Sequence, residues 1–254
     1  IRLSLVGSEM CIRDRPRPYP APMTKSLRAE LLIVLTLTFG ISGVRAVLNL
    51  INSLASPQRL DEQSVTLNSS QSSLAWVDMG LQLCSAAVLF SYGALALFLL
   101  AKDHIVPRPH RTRDWLEGAG LAALIGIPGL ALYFAALQLG WSKEVIPGDF
   151  ANAWVEIPVS LLKAAANAFA EETVVVMWLM TRLRQARWSL PATLAASSIL
   201  RGSYHLYQGV SAGCGNIIMG LIYGYYYHRT GRVWPLVIAH FLIDAVAFVG
   251  YSFL

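Results

Sequence analysis

The stretch AFAEETVVVMWLM, residues 168–180, sets two adjacent acids, Glu171 and Glu172, in a largely apolar run from Ala164 to Met180. A charged carboxylate costs at least about 2.5 kcal/mol at the centre of a membrane helix, so an acid in such a run marks a functional site before anything else. Residues four apart share a helix face. Lys163, Asn167 and Glu171 therefore form one stripe, with Glu172 about 100° away. Further on, TLAASSILRGSYHLYQG aligns Ser197, Arg201 and His205, flanked by Tyr204 and Gln208, and VWPLVIAHFLIDAVAF aligns His240 with Asp244. Between them Asn216 is followed by Gly220 and Gly224, small residues that let helices approach closely.

Together these side chains could hydrolyse an acyl bond. An acid accepts a proton from water, an imidazole shares or relays it, and a hydrogen-bond donor stabilises the developing oxyanion. Asp244, one turn after His240, could hold that ring protonated or in one tautomer. The same two histidines and three carboxylates could hold zinc, which needs three protein ligands and a water. No HExxH-like pair places two ligands and a base on one helix. The expectation is metal-free glutamate chemistry with no cofactor, zinc being the alternative.

These groups need helices to carry them. The chain is 55% hydrophobic and 14% charged, more apolar surface than one water-soluble core would hold. Stretches of spanning length lie near 28–54, 74–101, 115–140, 156–181, 190–208, 210–228 and 233–252. Inside lipid only helices satisfy such continuous apolar runs, so the expected class is all-α, a polytopic transmembrane helical bundle of about seven spans. From the inner helix ends, rise per residue places His240 about 12 Å deep, Glu171 and Asp244 about 16–18 Å and His205 about 24 Å, within reach of one polar cavity.

Lys and Arg gather in alternate loops: Lys25 and Arg28; Lys102, Arg108, Arg111 and Arg113; Arg182, Arg184 and Arg187; Arg229 and Arg232. By the positive-inside rule the N-terminus lies inside and the C-terminus outside, as in a bacterial cytoplasmic membrane. This also accounts for the net charge of +5 without a nucleic-acid partner. The partners expected are the lipid bilayer and a peptide or protein substrate. His228 belongs to a positive-inside turn, and Tyr225, Tyr226 and Tyr227 read as an interfacial aromatic belt. The charge bias puts the mouth nearest His240 on the cytoplasmic side.

Residues 1–22 do not fit the pattern. IRLSLVGSEMCIRDR is neither a span nor a signal peptide and resembles a translated adapter sequence, so the biological chain is expected from Met23; a disordered Pro-rich tail is the alternative. The expected division is 1–22 as this leader, 23–155 as three N-terminal transmembrane helices, and 156–254 as four helices carrying nearly all the buried polar chemistry. Cys11, Cys84 and Cys214 make no disulfide frame or metal knot. The segment 55–73 is an outer polar loop.

The second half resembles the CAAX protease and bacteriocin-processing (CPBP, Abi-type) intramembrane endopeptidases, also called the CAAX prenyl protease 2 or lysostaphin-resistance type. Their marks are a Glu-Glu-x-x-x-Arg helix, an aromatic-x-x-x-His approach and a final His-x-x-x-Asn/Asp helix. Here these read EETVVV at 171–176, RGSYH at 201–205 and HFLID at 240–244. The resemblance implies a peptide-bond hydrolase acting on membrane-associated, prenylated or leader peptides, in which Glu171 with His205 activates water and His240 with Asp244 supports the oxyanion. Glu172 joins this catalytic set. The motif's arginine is replaced by Val176, and Arg201 is the expected charge partner of the acids, with Lys163 the second candidate. Two other classes compete. A proton-coupled transporter should show an internal repeat with broken helices, and none is found. A catalytically silent membrane protein of the same fold, serving as a scaffold or in peptide-toxin immunity, would tolerate the missing arginine.

Overall fold

The apolar stretches, punctuated by charge, Gly and Pro, fold as helices. The computed structural model describes them over residues 25–146 and 153–249, so the expected leader 1–22 lies outside the described residues.

Helices α1 (Lys25–Leu37) and α2 (Phe39–Leu54) fill the first expected span but are bent by 50° where they meet. At the break the Thr38 hydroxyl donates back to the Val34 carbonyl at 2.7 Å, a bond that bends helices. Gly40 permits the bend, because a Cβ there would lie 2.6 Å from the Leu35 carbonyl oxygen. Helices α3 (Ala75–Ala101) and α4 (Arg113–Gln138) are the second and third segments. The fourth, expected as one helix over 156–181, is longer and uneven: α5 (Ala153–Glu171), a π-helical stretch over Glu172–Trp178, then α6 (Leu179–Gln185). Ser189 caps α7 (Leu190–His205), its hydroxyl accepting from the Ala192 N–H at 3.3 Å. Helix α8 (Val210–Thr230) ends at Gly231, whose φ of 62° is the left-handed cap that glycine adopts freely. Helix α9 (Trp234–Phe248) follows.

One feature is added and one expectation is corrected. Beside the helices, β1 (Ser64–Thr66) and β2 (Glu144–Ile146) pair in parallel, Val65 opposite Val145. Such three-residue runs are too short for periodicity to reveal. The count of about seven spans is not reproduced. By length and composition, among the described residues, α3 and α4 are long and apolar enough to cross a membrane, and a third span is added if the bent α1–α2 pair is one. Helix α7 has 16 residues, and α5 carries Glu156, Lys163 and Glu171, so the polar groups of the second half dilute the signal that would mark its helices as spans. The all-helical membrane-type architecture stands, with large side chains such as Leu116 (76% exposed) and Ile127 (71%) on the outside. Contiguous apolar exposure suits lipid rather than water.

Helix α5 packs between α3 and α9, α4 lies along α9, and α7 lies along α2 and α8. The α7–α8 approach is close because Gly220 has no side chain: a Cβ there would lie 2.8 Å from the Ser198 Cα. The π-helical stretch is fully buried and lies at the centre. Around it one apolar cluster includes Phe39, Leu100, Val174, Trp178 and Tyr204, and another joins Val176, Met180, Met219, Tyr223 and Leu236. At the end of the bundle where α1 begins and α3 stops, buried Arg182 ties α1, α3 and α6 together, contacting Glu30 at 2.7 Å, Asp103, and the Leu99 carbonyl at 2.9 Å. Arg232 clamps Asp114 at the start of α4, both NH2 contacts being 2.7 Å.

Candidate active site

Helix α5 ends at Glu171, and the π-helical stretch begins at Glu172. A π turn adds a residue per turn relative to the α-helix and is frequent at functional sites. Its β-branched sequence, Thr173 to Val176, fits a tight helix less readily than straight-chain residues do. The Val175 carbonyl, loosened from regular helix bonding, accepts from the Ser197 hydroxyl at 2.7 Å and so docks α7 against the turn.

That docking brings Arg201 onto both acids. Its NH1 lies 3.3 Å from Glu171 Oε2 and its NH2 2.7 Å from Glu172 Oε1. The guanidinium and Glu172 are fully buried, and Glu171 is nearly so. From α9, His240 Nδ1 lies 2.7 Å from the same Glu172 Oε1. Since a carboxylate accepts there, Nδ1 donates, and Nε2 is the ring nitrogen left to face Asp244, whose Oδ1 is 3.5 Å away. Asp244 is held from α5, the Asn167 amide donating to its Oδ2 at 2.8 Å. At the end of α7, His205 Nδ1 is 3.0 Å from the Arg201 carbonyl. That carbonyl can only accept, so the hydrogen is on Nδ1 and Nε2 is the bare, proton-accepting nitrogen.

The acids, Arg201, His240 and Asp244 thus form one connected cluster drawn from three helices, with His205 joined to it through the Arg201 backbone. Lys163 does not reach the acids; its ammonium donates to Gln82 of α3 at 2.8 Å, so the second candidate for charge partner is corrected. The stripe on α5 twists about the helix, and by position 163 it faces α3 rather than the acids.

Two tyrosines were not singled out by the spacing of charged residues. The Tyr204 hydroxyl donates to Glu171 Oε2 at 2.6 Å. Tyr223 of α8 lies with its ring 5.6 Å from the Arg201 guanidinium carbon, a cation–π arrangement. Tyr204 was readable as a neighbour of His205, but its direction depends on how α7 docks. Glu172 Oε2, Arg201 Nε and the Tyr223 hydroxyl are buried without a hydrogen-bond partner among the described residues, the kind of unmet polar capacity that functional sites hold.

The expected inner mouth beside His240 is filled. His240 is 3% exposed, and the inner flank of the cluster is closed by Val176, Met180, Tyr223 and Leu236. Exposure rises the other way, where Asn167, His205, Tyr207, Gln208, Asn216 and Asp244 are half-buried. The site therefore faces the half of the bundle beneath the β1–β2 cap. This cap is pinned to the end of α7, since the Lys143 N–H donates to the Gln208 carbonyl at 3.0 Å. Gly209 takes a φ of 126° there and lies against Ser142.

Glu171, Glu172 and His240 offer ligand atoms within 4.8 Å of one another, a spacing that could suit a metal ion. The fit is poor as folded. Arg201 already lies against both carboxylates and His240 Nδ1 against one of them, so an incoming cation would meet a resident guanidinium.

Among known proteins, the family model described as type II CAAX prenyl endopeptidase Rce1-like matches residues 153–246, well under half of the chain. No curated protein and no solved structure matches the chain. Helices α1 to α4 lie outside the matched segment, whereas the acids, Arg201, both histidines and Asp244 all lie within it. The segment 153–246 is thus similar to the Rce1-like CAAX endopeptidases, in keeping with the resemblance of its three motifs.

Proposed function

We propose that the chain is an intramembrane endopeptidase that uses Glu171 to activate water, acting on the C-terminal tails of prenylated or otherwise membrane-associated peptides. The observation that carries this is the convergence of Glu171, Glu172 and His240 around Arg201 inside a segment matched to a CAAX endopeptidase family. A buried acid pair held in place by fixed donors is a preorganised site, which is what acyl transfer needs.

In this reading Glu171 takes a proton from water, assisted by His205 Nε2, while the water oxygen bonds to the scissile carbonyl carbon. The carbonyl π pair moves to oxygen, where His240 donates a hydrogen bond from Nε2, the nitrogen that faces Asp244 at the longer distance of 3.5 Å. As the C–N bond breaks, its electron pair stays on nitrogen and the proton passes from Glu171 to the leaving amine. The products are a carboxylic acid and an amine, and Glu171 returns to the carboxylate. Glu172 carries no proton in this scheme; it anchors Arg201 and His240, and Asp244 orients the ring. No metal or cofactor takes part, a reading supported by the guanidinium resting between the acids.

Glu171→Gln keeps the shape and cannot accept the proton, so a fall of about two to four orders of magnitude is expected in turnover of a quenched peptide library in detergent. The same assay with a zinc chelator should keep the wild-type rate. Wild-type turnover in Glu171→Gln would sink the assignment of Glu171 as the base, whereas no turnover by the wild type itself would leave the silent scaffold, which the paired cluster also suits, because buried ion pairs can serve packing alone. Chelator-sensitive turnover would restore zinc.

A further inference from the structure

Glu171 is held by more than its ion pair. Its Oε2 receives both the Tyr204 hydroxyl, at 2.6 Å, and Arg201 NH1, at 3.3 Å, while neither contact uses Oε1. Tyr204 is itself fixed from outside the family-matched segment. Its ring lies 4.9 Å from that of Phe39, at an interplanar angle of 34°, and 4.7 Å from that of His205. Phe39 is the first residue of α2, directly after the 50° break, and is buried against Tyr92 of α3 as well. Helix α2 lies tightly on α7 here, since a Cβ at Gly43 would stand 2.4 Å from the Ser203 hydroxyl oxygen.

We propose that Tyr204, clamped by Phe39 at the α1–α2 break, is the positioning residue of the site: its hydroxyl fixes Glu171 Oε2 and leaves Oε1 as the oxygen that takes the proton. A carboxylate free to rotate would present either oxygen at varying angles, and a misplacement of about 1 Å can cost about a hundredfold in rate. Two donors on one oxygen remove that freedom. The bent N-terminal pair thereby contributes to chemistry through ring packing, although it supplies no charged group to the site.

The inference rests on Glu171 being the base, and the tests separate the two. Tyr204→Phe keeps the ring and removes the hydroxyl, so kcat should fall about tenfold or more with KM nearly unchanged, the signature of a contact that matters in the transition state. The thermal midpoint should stay at the wild-type value. Phe39→Leu should lower kcat in the same direction with the hydroxyl intact, and Phe39→Tyr, which keeps the ring, should restore most of it. If Glu171→Gln is inactive while Tyr204→Phe keeps wild-type kcat, the positioning role is overturned and the hydrolase reading survives. If Tyr204→Phe loses kcat only in step with its thermal midpoint, and Phe39→Leu at an unshifted midpoint keeps its rate, Tyr204 is a packing residue and the proposal fails. Equal turnover by wild type and Glu171→Gln would instead sink Glu171 as the base, and the positioning role with it.

Discussion

Five residues after Glu171, where the family motif has arginine, this chain has Val176, and the positive charge arrives from α7 as Arg201. Val176 is fully buried beside Met180, Met219 and Tyr223. Arg201 meets the same neighbourhood, its NH1 lying 4.0 Å from the Met219 sulfur. A guanidinium projecting from either position would enter one shared space. Removing one partner of a buried ion pair typically costs about 3–5 kcal/mol because the other charge is stranded. Arg201→Met should accordingly lower the thermal midpoint and abolish cleavage, and adding Val176→Arg should recover part of both. A single mutant that melts and cleaves like wild type would show that the acids do not depend on Arg201. Arg201 is legible in the sequence because an arginine deep in an apolar helix needs a partner, and Glu171 and Glu172 are the adjacent acids that lie in an apolar run, unlike Asp61 and Glu62 of the polar loop. Tyr204 is not, since a hydroxyl among several aromatic residues carries no spacing signal.

Helix contacts explain the rest of what the sequence did and did not reveal. The faces holding His205, His240 and Asp244 followed from four-residue spacing, which survives in α7 and α9 because both are regular. The same rule misjudged the fourth segment: nothing in a run of Thr and Val distinguishes a π turn from an α turn, because both are apolar and equally continuous. Lys163 is a separate case: it lies two four-residue steps before Glu171 on regular α5, and the drift of about 40° per step turns it to Gln82. Glycine was more informative. Gly220 was readable as a contact point, and the structure puts it on Ser198 of α7. Gly220→Val would push α8 from α7 or force Ser198 to shift, and over-packing of this kind costs about 1–3 kcal/mol. The expected result is a lower thermal midpoint together with reduced cleavage, since Arg201 lies one turn from Ser198 on the displaced helix. A valine variant with wild-type stability would mean that the two helices can part without loss.

For the whole molecule the question is how it lies in the bilayer. Basic clusters mark the ends of α3, α6 and α8, and exposed tryptophans lie at both ends of the bundle, Trp115 and Trp188 beside the basic clusters and Trp76, Trp141 and Trp154 opposite, as interfacial tryptophans do. This arrangement supports the N-terminus inside and the site's half-open side facing outward or laterally. Cysteines introduced at His228 and at Glu144, both exposed, in a chain lacking its native cysteines, should label from the inside and the outside respectively. Labelling of position 228 from outside would reverse the orientation. The placement of Arg201 also bears on how the protein is made. An arginine five residues after Glu171 would travel into the membrane on the same helix as the acids and could neutralise them on the way. Here the two acids must enter without it, and a charged residue at a helix centre opposes insertion by about 2.5–3.5 kcal/mol. Alone, the fourth segment carries that cost in full or enters with its acids protonated, and the compensating charge becomes available only when α7, made later, brings Arg201 to Glu171 and Glu172.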